Sequence, residues 1–408
     1  MNRKQIISVL ALFLFVGTEA QILNRIKNKV EDKVVSEAEK AIEPKEKSNK
    51  KMQDSQSNPQ ASQNNPKASS ELQAYKNYDF VPGDQLIYYY DMANERDAEI
   101  PGRMLLNSGN AEIQTYQNEK VLFVPGGESV YMAPQIKGNS YLPVQFTVEF
   151  EVLSNGSSNT SASEINLYFR EKSRAGSGDA TAALKINLSS ISGDEDQALY
   201  AFECYNNDNW VGTAAKVFPK QAQNSQQNNW RRVAVYVNDN IGKLYVDQHR
   251  LAVANQLETS RIDMMEIEVI SAGNPVLFRN FRIASGGDDA YNKLITDGKF
   301  IAYGIQFDVN KAVLKPESMG SINEMVRILK ENPDLKFEIG GHTDSDGSTQ
   351  RNDELSLQRA ETVKSVIIGL GIDENRLTTQ GFGSSKPLVP NDSPENKARN
   401  RRVEFVKN

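Results

Sequence analysis

Cysteine, histidine and tryptophan are almost missing from this chain, whose 408 residues hold one cysteine, two histidines and two tryptophans. A lone Cys204 cannot close a disulfide within the chain, so stability must come from packing, and Cys204 reads as a small buried residue. Two histidines and one cysteine cannot build a conventional zinc site without several carboxylates, and nothing in the chain calls for a cofactor. His342 sits beside an acid but has no Ser or Cys partner at a recognisable spacing, which points to holding a turn; His249 reads as a solvated turn residue. Positive charge is also short. The net charge of −6 argues against a nucleic-acid partner, which would favour a basic face.

Long apolar runs are missing too. The one candidate, Ile6 to Val16 behind Arg3 and Lys4, is too short to span a bilayer and is followed by Thr18-Glu19-Ala20. Residues 1–20 therefore read as a secretory signal peptide. No cysteine follows that core, so a lipid anchor is not expected, and the exported chain is expected to be soluble or peripherally attached. Ile22, Ile26, Val30, Val34, Ala38 and Ile42 recur at helical spacing and predict an amphipathic helix over 21–43, stopped by Pro44. Alone such a helix frays, so it calls for another helix or a surface. Residues 44–75, rich in Lys, Ser, Gln and Asn, are expected to form a disordered linker.

Over 76–287 the period becomes two. Val144, Phe146, Val148, Phe150 and Val152 alternate with Gln145, Thr147, Glu149 and Glu151. Val233, Val235 and Val237 lead through a turn at 238–242 into Lys243 to Val246. Strands apolar on one face predict antiparallel sheets covered on one side, two of them packed as a β-sandwich. Over 296–408 the pattern alternates instead, with strands at 301–307, 336–339, 376–380 and 402–406 and helices at 317–330 and 353–370. Ile322, Met325, Val326, Leu329, Ala360, Val363, Ile367 and Leu370 face inward and Gly371 stops the second helix, an α+β arrangement.

The chemistry concentrates in Gly341-His342-Thr343-Asp344-Ser345-Asp346-Gly347, followed by Asn352-Asp353-Glu354-Leu355-Ser356-Leu357-Gln358-Arg359-Ala360. An acid sits in a glycine-bounded turn and an arginine on the helix after it. A carboxylate and a guanidinium a few ångströms apart receive a zwitterion: the acid takes an ammonium, and the arginine takes a carboxylate through paired, charge-assisted hydrogen bonds. Taken singly, Asp344 is a turn cap and Arg359 an exposed cation. This is a pattern for binding, not reaction.

With Ile305 to Glu317 before it and Asn400-Arg401-Arg402-Val403-Glu404-Phe405 after it, this stretch resembles the peptidoglycan-binding domain of the OmpA family. The resemblance implies a βαβαββ fold that holds peptidoglycan non-covalently. It implies that Asp344 and Arg359 grip the free amino-acid end of diaminopimelate in the stem peptide, with Thr343, Asn352, Asn310 and Arg401 lining the pocket. From the residues alone, Asn310 is equally a turn former and Arg401 a surface cation. The implied location is a Gram-negative-type envelope: secreted across the inner membrane, in the periplasm, associated with the outer membrane.

Trp230 to Leu251 and Phe278-Arg279-Asn280-Phe281-Arg282-Ile283 resemble the concanavalin or laminin-G type of jelly roll, which implies a glycan or protein ligand. Tyr88 and Trp210 are candidate exposed aromatics for a sugar. Two other readings stand beside a non-enzymatic wall anchor. An outer-membrane β-barrel would carry the same anchor, but needs long strands with a continuous apolar band, and the polar stretches 154–163 and 221–229 break it. A glycosidase would use a carboxylate pair, Glu149 with Glu151 or Glu266 with Glu268, yet the Glu-x-Asp-x-x-Glu order of such jelly rolls is absent.

Overall fold

A computed structural model describes residues 72, 75–136, 142–154, 163–175, 184–188, 199–206, 209–217, 230–255, 257–271, 273–286 and 290–408. The signal, the N-terminal helix, nearly all of the linker and the 221–229 stretch lie outside the described residues, as do the side chains of Cys204 and Trp210.

The chain first forms β1 (Gln85–Tyr90), β2 (Met104–Ser108), β3 (Glu112–Tyr116), β4 (Glu119–Val124) and β5 (Ser129–Pro134). Next come β6 (Gln145–Ser154), β7 (Glu164–Arg170), β8 (Leu184–Leu188), β9 (Leu199–Asn206) and β10 (Asn209–Val217). The series closes with β11 (Arg231–Asn238), β12 (Ile241–Val246), β13 (His249–Ala254), β14 (Met264–Ile270) and β15 (Val276–Ser285). One sheet runs β13-β12-β11-β6-β15-β4-β3, with β1 also paired to β15, and the other runs β10-β9-β8-β7-β14-β5-β2. Phe146, Val148, Phe150 and Val152 of β6 share one buried core with Ile165, Leu167 and Phe169 of β7 and Ile267 and Val269 of β14. Phe146 and Phe169 touch across the two sheets, ring centroids 5.6 Å apart.

Two expectations need correcting here. The outer face of β6 is not solvated: Thr147 is 0% and Glu149 4% exposed. The segment 75–84 covers it. Tyr78 and Phe80 pack on Tyr245 of β12, with centroids 5.5 and 5.3 Å away, and the Gly83 N–H donates to the Thr147 hydroxyl at 2.9 Å. Glu149 accepts from Arg232 at 2.5 Å and Arg282 at 2.8 Å, so the buried charge is paired. The second correction is Tyr88. Its ring is 0% exposed and its hydroxyl donates to the Arg103 carbonyl at 2.7 Å, because Tyr88 and Tyr90 take the inward positions of β1 and leave Tyr89 outward. His249 opens strand β13 and is half-buried.

The C-terminal part contains α1 (Ala290–Thr296), β16 (Lys299–Ala302), α2 (Met319–Glu331), β17 (Phe337–His342), α3 (Thr349–Gly369), β18 (Leu377–Gly381), α4 (Pro394–Asn400) and β19 (Arg402–Lys407). Its sheet runs β16-β19-β17-β18, with only β17 and β18 parallel. Ile322, Met325, Val326, Leu329, Ala360, Val363 and Ile367 are all buried, and Leu370 is half-buried against the same core. The strand expected at 301–307 stops at Ala302; Phe307 instead bridges Leu314 across a turn. α3 begins earlier than its apolar face suggests, because the Ser348 hydroxyl caps the Arg351 N–H. α1 and α4 were not expected.

The segment 75–84 also touches this part: the Asn323 side chain of α2 donates to the Tyr78 carbonyl at 2.9 Å. Gly320 lies directly under the Phe80 carbonyl, where an added Cβ would sit 1.7 Å from the oxygen. No helix among the described residues is long and apolar enough to cross a membrane.

Candidate functional site

The site grows from the end of β17. After His342 the chain turns into α3, and buried polar side chains shape that turn. The Thr343 N–H donates to the Gly383 carbonyl at 2.9 Å, and the Thr343 hydroxyl donates to the Asp344 carbonyl at 2.8 Å. The Asn352 amide on α3 reaches back to the carbonyls of Asp344 at 3.3 Å and Asp346 at 3.1 Å. Gly347 closes the turn with φ 91°, a left-handed conformation that glycine adopts without strain. Thr343 and Asn352, expected to line the pocket, are therefore both engaged in building the turn.

Asp344, 7% exposed, is the product of this construction. One carboxylate oxygen accepts the Asp346 N–H at 3.0 Å, and the other accepts the Arg401 guanidinium at 2.7 Å. Arg401 ends α4, where the Ser393 hydroxyl caps the first turn and Lys397 pairs with Asp346 at 2.8 Å. Burial pulls the Arg401 pKa down, but Tyr89, Asp344 and Asp91 outweigh it and hold the guanidinium above its ordinary value.

Arg359 does not bond Asp344. Its Nε donates to the Lys311 carbonyl at 3.0 Å, its Nη2 reaches the Asp308 carbonyl at 3.4 Å, and the guanidinium lies 5.0 Å from the Phe307 ring centroid. Burial lowers its pKa, the nearby Arg401 lowers it further, and Asp344 opposes both. Asn310 stands at the exposed tip of the 307–314 turn with φ 57°, a left-handed position that asparagine tolerates. The structure thus brings together Asp344, Thr343, Asn352 and Arg401, sets Arg359 beside them and leaves Asn310 on the rim turn. Asp344 is paired directly with Arg401, and Arg359 lies near enough to feel both charges.

His342 is packed, not solvated. It stacks on Phe382 with centroids 4.9 Å apart, and its Nε2 lies 3.7 Å from Glu404. Burial, with help from Arg402, lowers its pKa to about 4, so the imidazole is neutral at pH 7. Arg402 in turn donates to Glu404 at 2.7 Å, and the Glu404 pKa ends below its ordinary value although burial pushes it up.

Sequence reasoning missed Asn400, fully buried, whose side-chain oxygen accepts the N–H groups of Leu388 at 2.9 Å and Val389 at 3.2 Å. It also missed Tyr89 of β1 and Asp91 just after that strand, which act on the ionisation of Arg401 and carry no local signal. The strand carboxylates weighed for hydrolysis are all held by neighbours. Glu151 accepts from Arg279 at 2.6 Å and Asn280 at 2.9 Å, and Glu266 accepts from Asn107 at 2.7 Å. Glu268 accepts from Tyr131, from Tyr168 at 2.6 Å and from Asn166 at 2.8 Å.

The geometry coincides with a sequence family. A family model described as the OmpA family matches residues 306–401, the stretch that holds Asn310, the turn, α3 and Arg401. Residues 306–401 are an OmpA-family domain. The chain is 41% identical over 102 residues to Probable lipoprotein YiaD of Escherichia coli K12, covering 25% of this chain and 47% of that protein. It is 38% identical over 100 residues to Outer membrane porin F of Pseudomonas fluorescens, covering 24% of this chain and 31% of the relative. It is also 38% identical over 104 residues to Peptidoglycan-binding protein ArfA of Mycobacterium bovis, covering 26% and 32%. The chain thus spans between about a third and about half the length of these relatives.

Proposed function

We propose that this is a non-enzymatic cell-envelope protein that holds diaminopimelate-type peptidoglycan through its OmpA-family domain. It would thereby link the wall to the outer membrane or to an envelope partner. The observation that carries this reading is the buried Asp344 carboxylate between the Arg401 and Arg359 guanidinia. The diaminopimelate ammonium takes Arg401's place on Asp344, and the neighbouring carboxylate meets Arg359. Thr343 and Asn352 keep the Asp344 turn in shape, while Asn310 and Arg401 border the ligand. Identity to a protein named as peptidoglycan-binding supports this reading.

Relatives named as a lipoprotein and an outer-membrane porin support a periplasmic, outer-membrane-associated location, reached by export through the signal at residues 1–20. We read the two-sheet part, residues 76–287, as a concanavalin or laminin-G-like β-sandwich with a glycan or protein ligand. The helix 21–43 and linker 44–75 would set its place in the envelope. Two open sheets around a shared buried core weigh against a transmembrane barrel, and the arginine-bound Glu149 and Glu151 weigh against hydrolysis by that pair.

The test compares co-sedimentation with purified diaminopimelate-type and lysine-type walls. A lysine stem peptide lacks the carboxylate meant for Arg359, so the protein should pellet with the first and stay largely in solution with the second. Equal retention on both would sink the assignment.

A further inference from the structure

Residues 75–84 run between the two parts of the chain and bond to both. Towards the sheets, Tyr78 and Phe80 pack on Tyr245 of β12. The Arg232 guanidinium of β11 donates to the Tyr78 hydroxyl at 2.6 Å and lies 5.2 Å from the Phe80 ring centroid. Gly83 meets the same sheet, its N–H on the Thr147 hydroxyl of β6 and its carbonyl accepting from Arg282 of β15 at 2.5 Å. Towards the C-terminal part, the Asn323 side chain of α2 donates to the carbonyls of Lys76 at 3.1 Å and Tyr78 at 2.9 Å. Asp84 pairs with Lys293 of α1. Tyr75 packs both on the cluster of Tyr78, Phe80 and Tyr245 and on the core that holds Ile322 and Met325. Tyr78 alone therefore ties β11, through its hydroxyl, to α2, through its carbonyl.

Two glycines admit this close passage. A Cβ on Gly320 would stand 1.7 Å from the Phe80 carbonyl oxygen, and one on Gly304 would stand 2.6 Å from a ring carbon of Pro82. Neither glycine has a left-handed backbone, so what each position uses is the missing side chain. Two parts with separate cores move independently by default. We propose that residues 75–84 are a clasp that joins the two-sheet part and the OmpA-family domain into one cooperative unit, with Gly320 as the seat on which it closes. The chain before residue 75 then joins the molecule at the seam, so tension on it loads both parts together. The clasp does not depend on what the Asp344 pocket binds.

The test is scanning calorimetry on the full chain, with chymotrypsin cleavage after Tyr78 as a second readout. Wild type should unfold in one transition and resist cleavage at Tyr78. Phe80→Ala removes the ring packed on Tyr245, and Gly320→Ala pushes the segment off α2. Each should split the transition into two and speed cleavage after Tyr78 by roughly tenfold or more, because the open form of the segment becomes far more populated. A merely structural defect would lower a single transition without dividing it. Phe80→Ala leaves α2 untouched, so it decides the matter even if Gly320→Ala does not fold. Two separate transitions in wild type would overturn the proposal. So would a single transition in Phe80→Ala, or cleavage of that variant at the wild-type rate.

Discussion

Asp344 accepts its charge-assisted hydrogen bond from Arg401 at 2.7 Å, while Arg359 is drawn away to the carbonyls of Lys311 and Asp308 and to the face of Phe307. The free site is thus closed on itself. Its acid is satisfied by an arginine that belongs to α4, and its second arginine is held ready by backbone oxygens. A zwitterion binds by exchange: ammonium for Arg401 and carboxylate for those carbonyls.

Arg359→Lys keeps the charge but loses the planar fork that meets a carboxylate with two hydrogen bonds. Losing a hydrogen bond to a charged group costs about 1.5–3 kcal/mol, so wall binding should fall by roughly ten- to a hundredfold. Binding isotherms on diaminopimelate-type wall check this, and circular dichroism should show an unchanged fold.

How legible this was in the sequence differed by residue. Phe146 to Val152 reported their strand because each inward side chain is apolar. The burial of Thr147 and Glu149 could not be read, since their cover, residues 75–84, is remote in the chain. Phe307 looked like a strand residue, but its ring carries the Arg359 guanidinium. Spacing pointed to Arg359 as the partner of Asp344. Arg401 gets there through sheet register: β19 lies beside β17 with Arg402 opposite His342, which leaves Arg401 at the strand end where Asp344 turns. α4 offered little signal, because Pro-Glu-Asn-Lys-Ala-Arg-Asn has no apolar face; only Ser393-Pro394, a capping pattern, marked its start.

Glu149 bridges Arg232 and Arg282 beneath the 75–84 segment, and all three side chains are largely buried. Glu149→Ala strands two cations and should destabilise the two-sheet part by about 3–5 kcal/mol. Urea unfolding followed by tryptophan fluorescence should show the midpoint move down by the corresponding amount.

His342 makes stability depend on pH. Its folded pKa, about 4, lies below the ordinary 6.5, so the unfolded chain takes up a proton that the folded chain refuses. The contribution is fully present above pH 6.5 and is lost as pH falls towards 4, amounting to about 3 kcal/mol across that window. His342→Phe, which can keep the stack on Phe382, should flatten the fall in melting temperature between pH 6.5 and pH 4. Glu404, also held below its ordinary pKa, should add a loss at more acid pH in both proteins.

Gly341 presses the strand onto the helix: a Cβ there would stand 2.1 Å from the Ser356 carbonyl oxygen of α3. Gly341→Ala should force β17 and α3 apart, costing about 1–3 kcal/mol and displacing the Asp344 turn. Calorimetry should show a lower melting transition, accompanied by weaker wall binding.

The most direct test of the central claim is sedimentation with purified diaminopimelate-type peptidoglycan, comparing wild type with Asp344→Ala and Arg359→Ala. Wild type should pellet with the wall, and both variants should stay in solution while remaining folded. Wild type left in the supernatant, or either folded variant pelleting as well as wild type, would contradict the claim.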